Sequence, residues 1–314
     1  MIKEIARILK GEDARKIILV GPCSADDSTA TLDYLQRLRK VQDKTSEVFL
    51  FIPRVYTGKP RSDSLEYKGM LHKEASDDDD DNICQGIEAA RKLHLRAISE
   101  TDFYCADEML YPGLAPYFSD LIVYYTVGAR SVENQEHRLV ASGLDMPVGM
   151  KNPTNGNLDA MYSAIEAAQN RHHIFIQGWE CVTNGNPCAH GILRGYSTSL
   201  GNEVPNYYIE NLYEIESYYD TNKVPNNGII VDCSHANSRK KYIEQIRISK
   251  EVFGWCKKYR NIGNLVRGIM IESYIQDGNQ DVGTHVYGRS VTDACLGWEK
   301  TERLLLELAD LMSA

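Results

Sequence analysis

Gly228-Ile229-Ile230-Val231-Asp232-Cys233-Ser234-His235-Ala236-Asn237-Ser238 is the stretch that decides the fold. Its first four residues read as a short buried strand, which then breaks into small polar residues around one histidine. A strand ending in Asp, Ser, His and Asn sets polar side chains at its carboxyl edge. In parallel α/β sheets and barrels, sites are built at that edge. Alone, the segment is equally a polar loop with a hydrogen-bonded histidine. The rest of the chain separates the two readings.

The pattern recurs outward in both directions. Arg267-Gly268-Ile269-Met270-Ile271 runs into Glu272-Ser273, and Lys16-Ile17-Ile18-Leu19-Val20 runs into Gly21-Pro22-Cys23-Ser24. Glu47 to Ile52 leads into a loop carrying Arg54, Lys59 and Arg61, with Gly and Pro to stiffen it. Phe103 to Ala106 precedes Asp107-Glu108, and Leu121 to Thr126 precedes Gly128-Ala129-Arg130. Pro147 to Met150 ends at Lys151-Asn152, and His190 to Leu193 ends at Arg194. His173 to Gln177 is an extra strand, read as part of an antiparallel hairpin inserted before the sixth barrel strand. Helical periodicity covers 1–15, 25–44, 83–100, 157–170 and 292–312. These elements predict one α/β domain over residues 1–314, a single (β/α)8 TIM barrel with a short N-terminal helix.

Composition removes several function classes. The 314 residues are 25% charged and 43% hydrophobic, with a net charge of −9, which opposes broad nucleic-acid binding. No apolar run approaches the roughly 20 residues of a membrane span. The amino terminus lacks a secretory apolar block and cleavage site, so the expected compartment is cytoplasmic. The eight cysteines show no disulfide or CxxC spacing, as in a reducing environment. Asp78-Asp79-Asp80-Asp81 reads as a solvated loop, without the spaced ligands of a calcium site.

On a barrel, one rim collects two chemistries. Cys23, His235, Glu272 and Asp293 offer one thiolate, one imidazole and two carboxylates, a mixed set suited to Mn, Fe, Co or Zn. The bland alternative makes each of them a separate structural residue. Arg54, Lys59, Arg61, Arg130, Lys151 and Arg194 form a cationic set. Such charges at strand ends ask for a polyanionic ligand, and guanidiniums bind carboxylate and phosphate through paired donors. Some of these cations could instead pair with carboxylates such as Glu133.

Several segments resemble the type I 3-deoxy-D-arabino-heptulosonate 7-phosphate (DAHP) synthases. They are Gly21-Pro22-Cys23-Ser24, Lys59-Pro60-Arg61-Ser62, Gly128-Ala129-Arg130-Ser131 with Glu133-Asn134-Gln135, and Pro147-Val148-Gly149-Met150-Lys151-Asn152. The likeness continues through Ile192-Leu193-Arg194-Gly195, Asp232-Cys233-Ser234-His235-Ala236-Asn237-Ser238, Met270-Ile271-Glu272-Ser273 and Tyr287-Gly288-Arg289-Ser290-Val291-Thr292-Asp293-Ala294-Cys295. It implies a 3-deoxy-7-phosphoheptulonate synthase that joins phosphoenolpyruvate (PEP) to erythrose 4-phosphate (E4P). By this likeness Cys23, His235, Glu272 and Asp293 hold the divalent metal. Arg54, Lys59, Glu108, Arg130, Lys151 and Arg194 surround PEP, while Arg61, Ser62 and Asp293 meet E4P. Lys59, Cys23 and His235 are the expected catalytic residues.

The resemblance implies a homo-oligomer, dimer or tetramer; the charge and the lack of a long apolar run lead to the expectation of no nucleic-acid or membrane partner. Ser62 stands where the family has threonine and keeps the hydroxyl. The Asp63–Lys68 loop differs, and Tyr196 replaces a glycine after Arg194, adding bulk at the rim. Feedback-inhibited relatives carry a longer amino-terminal extension, so weak or no inhibition by aromatic amino acids is expected. The competing readings are a synthase using another sugar phosphate and a non-catalytic barrel that binds a phosphorylated metabolite.

Overall fold

Strand β1 (Lys16–Gly21) is buried along its whole length. A strand covered on both faces has no reason to alternate, which explains the unbroken Ile-Ile-Leu-Val run. The computed structural model describes residues 1–61, 66–72, 82–222, 224, 226, 228–284 and 286–313. Ser62 and the Asp78–Asp81 run lie outside the described residues. The other strands are β2 (Phe49–Pro53), β3 (Cys105–Glu108), β4 (Ile122–Val127), β5 (Val148–Lys151), β6 (His173–Ile176), β7 (Trp179–Val182), β8 (His190–Leu193), β9 (Tyr196–Ser197), β10 (Glu203–Val204), β11 (Ile229–Asp232) and β12 (Val266–Glu272). Helices are α1 (Ile2–Lys10), α2 (Ser28–Thr45), α3 (Ile83–Thr101), α4 (Gln135–Ala141), α5 (Leu158–Gln169), α6 (Ile209–Asn222), α7 (Glu244–Lys258), α8 (Arg260–Leu265) and α9 (Trp298–Ser313).

Eight parallel strands lie in the order β2-β1-β12-β11-β8-β5-β4-β3. A bridge between Arg54 and Ala106 joins the ends of that order, with Val55 N–H donating to Ala106 O at 2.9 Å. The result is the (β/α)8 barrel expected from the sequence. Its interior is packed by Ile17, Leu19, Leu50, Ile52, Tyr124, Ile192, Ile230 and Met270. Helix α1 sets fully buried Ile5, Ile8 and Leu9 into the same cluster, each burial contributing about 2 kcal/mol.

Three differences from the sequence reading have physical causes. Helix α1 stops at Lys10, where Gly11 takes a left-handed cap, rather than continuing to residue 15. The closing helix begins at Trp298, not at 292. Residues 290–297 are held in bridges instead, with Leu296 N–H donating to Glu272 O at 2.9 Å and Cys295 N–H to Gly278 O at 3.0 Å. Those bonds keep Asp293 at the rim. A β9–β10 ribbon, absent from the sequence reading, follows Arg194. The structure also contains the antiparallel pair β6–β7, turning at Gln177-Gly178, ahead of the sixth barrel strand β8.

Candidate active site

The carboxyl ends of the barrel strands surround one cavity of about 370 Å³. Cys23, Arg54, Lys59, Arg61, Glu108, Arg130, Lys151, Arg194, His235, Glu272 and Asp293 all line it. Every site residue named from the sequence is therefore brought together except Ser62, which is outside the described residues. Glu66, Thr154, Ser197 and Lys240 join the lining and were not anticipated. Among the described residues, seven cationic side chains face four carboxylates there.

The donor set fits a divalent metal. One ligand atom each from Cys23, Glu272 and Asp293 falls within 4.8 Å of the other two. His235 borders this group, its Nε2 lying 3.7 Å from Glu272 Oε1. The other imidazole nitrogen is already engaged. Nδ1 lies 2.9 Å from Asp232 Oδ2 and 2.7 Å from Ser234 Oγ. A carboxylate at Nδ1 holds that proton there and leaves Nε2 with its lone pair, the usual support for a ligating histidine. Burial, then Glu272, pushes the Cys23 thiol up to about 12, so it becomes a thiolate only beside a strong cation. Burial works against charge on Glu272, but His235 and Arg54 hold it below the ordinary carboxylate range.

The cations divide by what they already bind. Arg54 is 1% exposed, donates to Glu272 Oε1 at 2.9 Å, and lies 4.3 Å above the Tyr56 ring. Its Nε and Nη1, like Nη1 of buried Arg194, find no hydrogen-bond partner among the described residues. Buried donors without acceptors cost about 1–3 kcal/mol each, so their positions ask for an anion. Lys59 Nζ points at Cys23 Sγ, 3.4 Å away. Lys151 Nζ sits 3.2 Å from Asp232 Oδ2, and Arg61 Nε 3.5 Å from Glu66 Oε1. Burial lowers Arg194 from the usual guanidinium value, and the nearby carboxylates of Asp232, Glu203 and Glu272 offset that only in part. At Gly128 a Cβ would meet Glu108 Oε1 at 2.3 Å, so a larger residue there would push that carboxylate from its present position.

Backbone positions are set by side-chain amides: Asn152 and Asn237 stand in strand-end segments quoted from the sequence, whereas Asn206 and Gln245 do not. Asn152 Oδ1 accepts from Arg194 N–H at 2.8 Å and from Asn206 Nδ2 at 3.1 Å. Asn206 Oδ1 accepts from Gly195 N–H at 2.7 Å, and Asn237 Nδ2 donates to Leu193 O and Asp232 O. Gln245 on α7 brackets Glu272, donating to its carbonyl at 2.9 Å and accepting from its N–H at 2.8 Å. Asp107 accepts from Thr57 N–H at 2.9 Å and Thr57 Oγ1 at 2.6 Å, which steadies the approach to Lys59. Asp232 carried a sequence signal, ending the apolar run of β11 three residues before His235. Asn206 and Gln245 carried none.

Known proteins match this arrangement. The sequence profile of the DAHP synthetase I family matches residues 1–306. Phospho-2-dehydro-3-deoxyheptonate aldolase of Haemophilus influenzae is 35% identical, over 99% of this chain and 85% of its own. The Trp-sensitive phospho-2-dehydro-3-deoxyheptonate aldolase of Escherichia coli is also 35% identical, over 98% of this chain and 87% of its own. The solved phospho-2-dehydro-3-deoxyheptonate aldolase of Francisella tularensis superposes with a TM-score of 0.88 at 34% identity, covering 99% of this chain and 89% of that one.

Proposed function

The chain belongs to the DAHP synthetase I family, and on that premise we propose that it condenses PEP with E4P and water, giving DAHP and phosphate. This is the opening step of the shikimate pathway, on the route to aromatic amino acids. One observation carries the substrate assignment: the unspent guanidinium donors of Arg54 and Arg194 face the same cavity as the Cys23, Glu272 and Asp293 cluster.

Arg54, Lys59, Arg130, Lys151 and Arg194 bind the carboxylate and phosphate of PEP, with Glu108 holding a water or a lysine beside it. Arg61 and Ser62 take the phosphate of E4P, and Asp293 meets that substrate's aldehyde end. Cys23, His235, Glu272 and Asp293 hold a divalent metal, which when bound polarises the aldehyde oxygen as a Lewis acid. Lys59 bridges the two substrates or donates a proton from Nζ. Asp232 orients His235 and balances Lys151. The cations are in place before charge develops, so they stabilise the departing phosphate without reorganising. We place the protein in the cytoplasm as a dimer or tetramer. The free state of all eight cysteines supports the first, and the exposed Phe175 and Trp179 of the β6–β7 hairpin support the second.

The test is phosphate release from PEP and E4P after chelator treatment, with Mn, Fe, Co and Zn restored in turn. Activity disappears with the chelator and returns with at least one metal. Arabinose 5-phosphate in place of E4P gives no release. Activity that survives complete metal removal would sink the metal assignment, and turnover with arabinose 5-phosphate alone would sink the substrate assignment.

A further inference from the structure

Ribbon β9–β10 takes no part in the mechanism above, yet it forms one wall of the cavity. Tyr196 lays its ring on Gly156, where a Cβ would come within 2.5 Å of ring carbon. Ser197 N–H donates to Thr154 O at 2.8 Å. On the opposite strand, Glu203 accepts from Ser197 Oγ at 2.9 Å and pairs with Lys240 Nζ at 3.2 Å. The ribbon thus ties the loop after β5 to the loop after β11. Thr154, Ser197 and Lys240 all line the cavity together with Arg194.

Backbone strain collects at the far end of this tie. His235, Arg239 and Lys240 have φ of 51°, 51° and 58°, a left-handed region costly for side chains of their size. Lys240 N–H is held on His235 O at 2.8 Å, which couples the lysine to the histidine. Strained residues that persist mark positions the surroundings insist upon.

We propose that Lys240, presented by Glu203, is a further phosphate-binding residue of this cavity, with the hydroxyls of Ser197 and Thr154 as its outer wall. The inference rests on the PEP reading and deepens it, since PEP's phosphate is the anion concerned. A phosphate dianion on Arg194 keeps oxygens free for an ammonium and hydroxyl donors. A lysine suits the outer position, being a flexible point charge, while buried guanidiniums set orientation. Glu203 holds the ammonium across the mouth until a dianion replaces it.

Titration calorimetry of PEP, and separately of inorganic phosphate, into the manganese-loaded protein tests this, alongside steady-state kinetics. Lys240 is an exposed side chain, so its replacement leaves the fold intact. Lys240→Met weakens both ligands about tenfold and raises the PEP KM to match, while kcat and the E4P KM move less than about twofold. Lys240→Arg recovers most of the loss, and Glu203→Gln, which keeps the bond to Ser197, shows a loss of about threefold. Unchanged affinities in Lys240→Met overturn the proposal, as does a rise confined to the E4P KM. Lysine-dependent phosphate binding by a protein that does not turn over PEP and E4P would support this site and refute the reaction.

Discussion

Arg54 condenses the site's physics into one side chain. It is buried, paired with Glu272, stacked on Tyr56 and left with two unspent donors. Burial opposes its charge, and Tyr56, Glu272 and Asp232 restore it, so the guanidinium stays protonated. Removing one member of a buried pair strands the other, at about 3–5 kcal/mol. Arg54→Met is therefore expected to lower unfolding free energy by that amount in urea and to abolish PEP binding. Arg54→Lys, which keeps the charge but not the fork, regains stability better than binding. A variant as stable as the parent would show that Glu272 does not depend on this partner.

At the scale of elements, the strands are aimed by side chains from the helices behind them. Gln245 on α7 satisfies both backbone groups of Glu272 at the end of β12. Gln42 on α2 does the same across β2, donating to Phe49 O at 3.0 Å and accepting from Phe51 N–H at 2.6 Å. Each fixes a helix to a strand more tightly than apolar packing alone, because hydrogen bonds have direction. Gln245→Leu leaves a buried N–H and C=O without partners, an expected cost of about 2–4 kcal/mol. Since Glu272 then shifts, metal affinity falls as well. Chemical denaturation and a metal titration measure both, and a loss below about 1 kcal/mol contradicts the bracket's role.

The whole barrel carries a pH limit in its interior. His190 is fully buried, its Nδ1 donating to Cys188 O at 2.8 Å and its Nε2 accepting from Tyr124 O–H at 2.7 Å. Burial drops its pKa from 6.5 to about 4. The unfolded chain takes up this proton as pH falls through 6.5, whereas the folded chain refuses it until about 4. The contribution is thus complete above 6.5 and drains away between 6.5 and 4. Urea melts from about pH 7 down to about pH 4.5 should show His190→Gln losing about 2–3 kcal/mol less stability than the parent. Equal slopes for the two proteins would remove His190 from the account.

Read alone, the sequence determined the class and order of the barrel. Buried strands write themselves as apolar runs, and their carboxyl ends carry the polar residues a rim needs. Cys23, Arg54, His235 and Glu272 were legible for that reason, each standing within four residues of the end of such a run. Only the tertiary structure decided which groups hold those residues in place. Arg194 depends on Asn152, 42 residues earlier, Asn206 on Asn237, 31 later, and Glu272 on Gln245, 27 earlier. Lys240 meets Glu203 across a ribbon with no periodic signature, and the 290–297 segment follows bridges rather than its own helical pattern. Periodicity records which face of a segment is buried. It holds no record of which distant donor completes which acceptor, because that is settled only when the barrel closes.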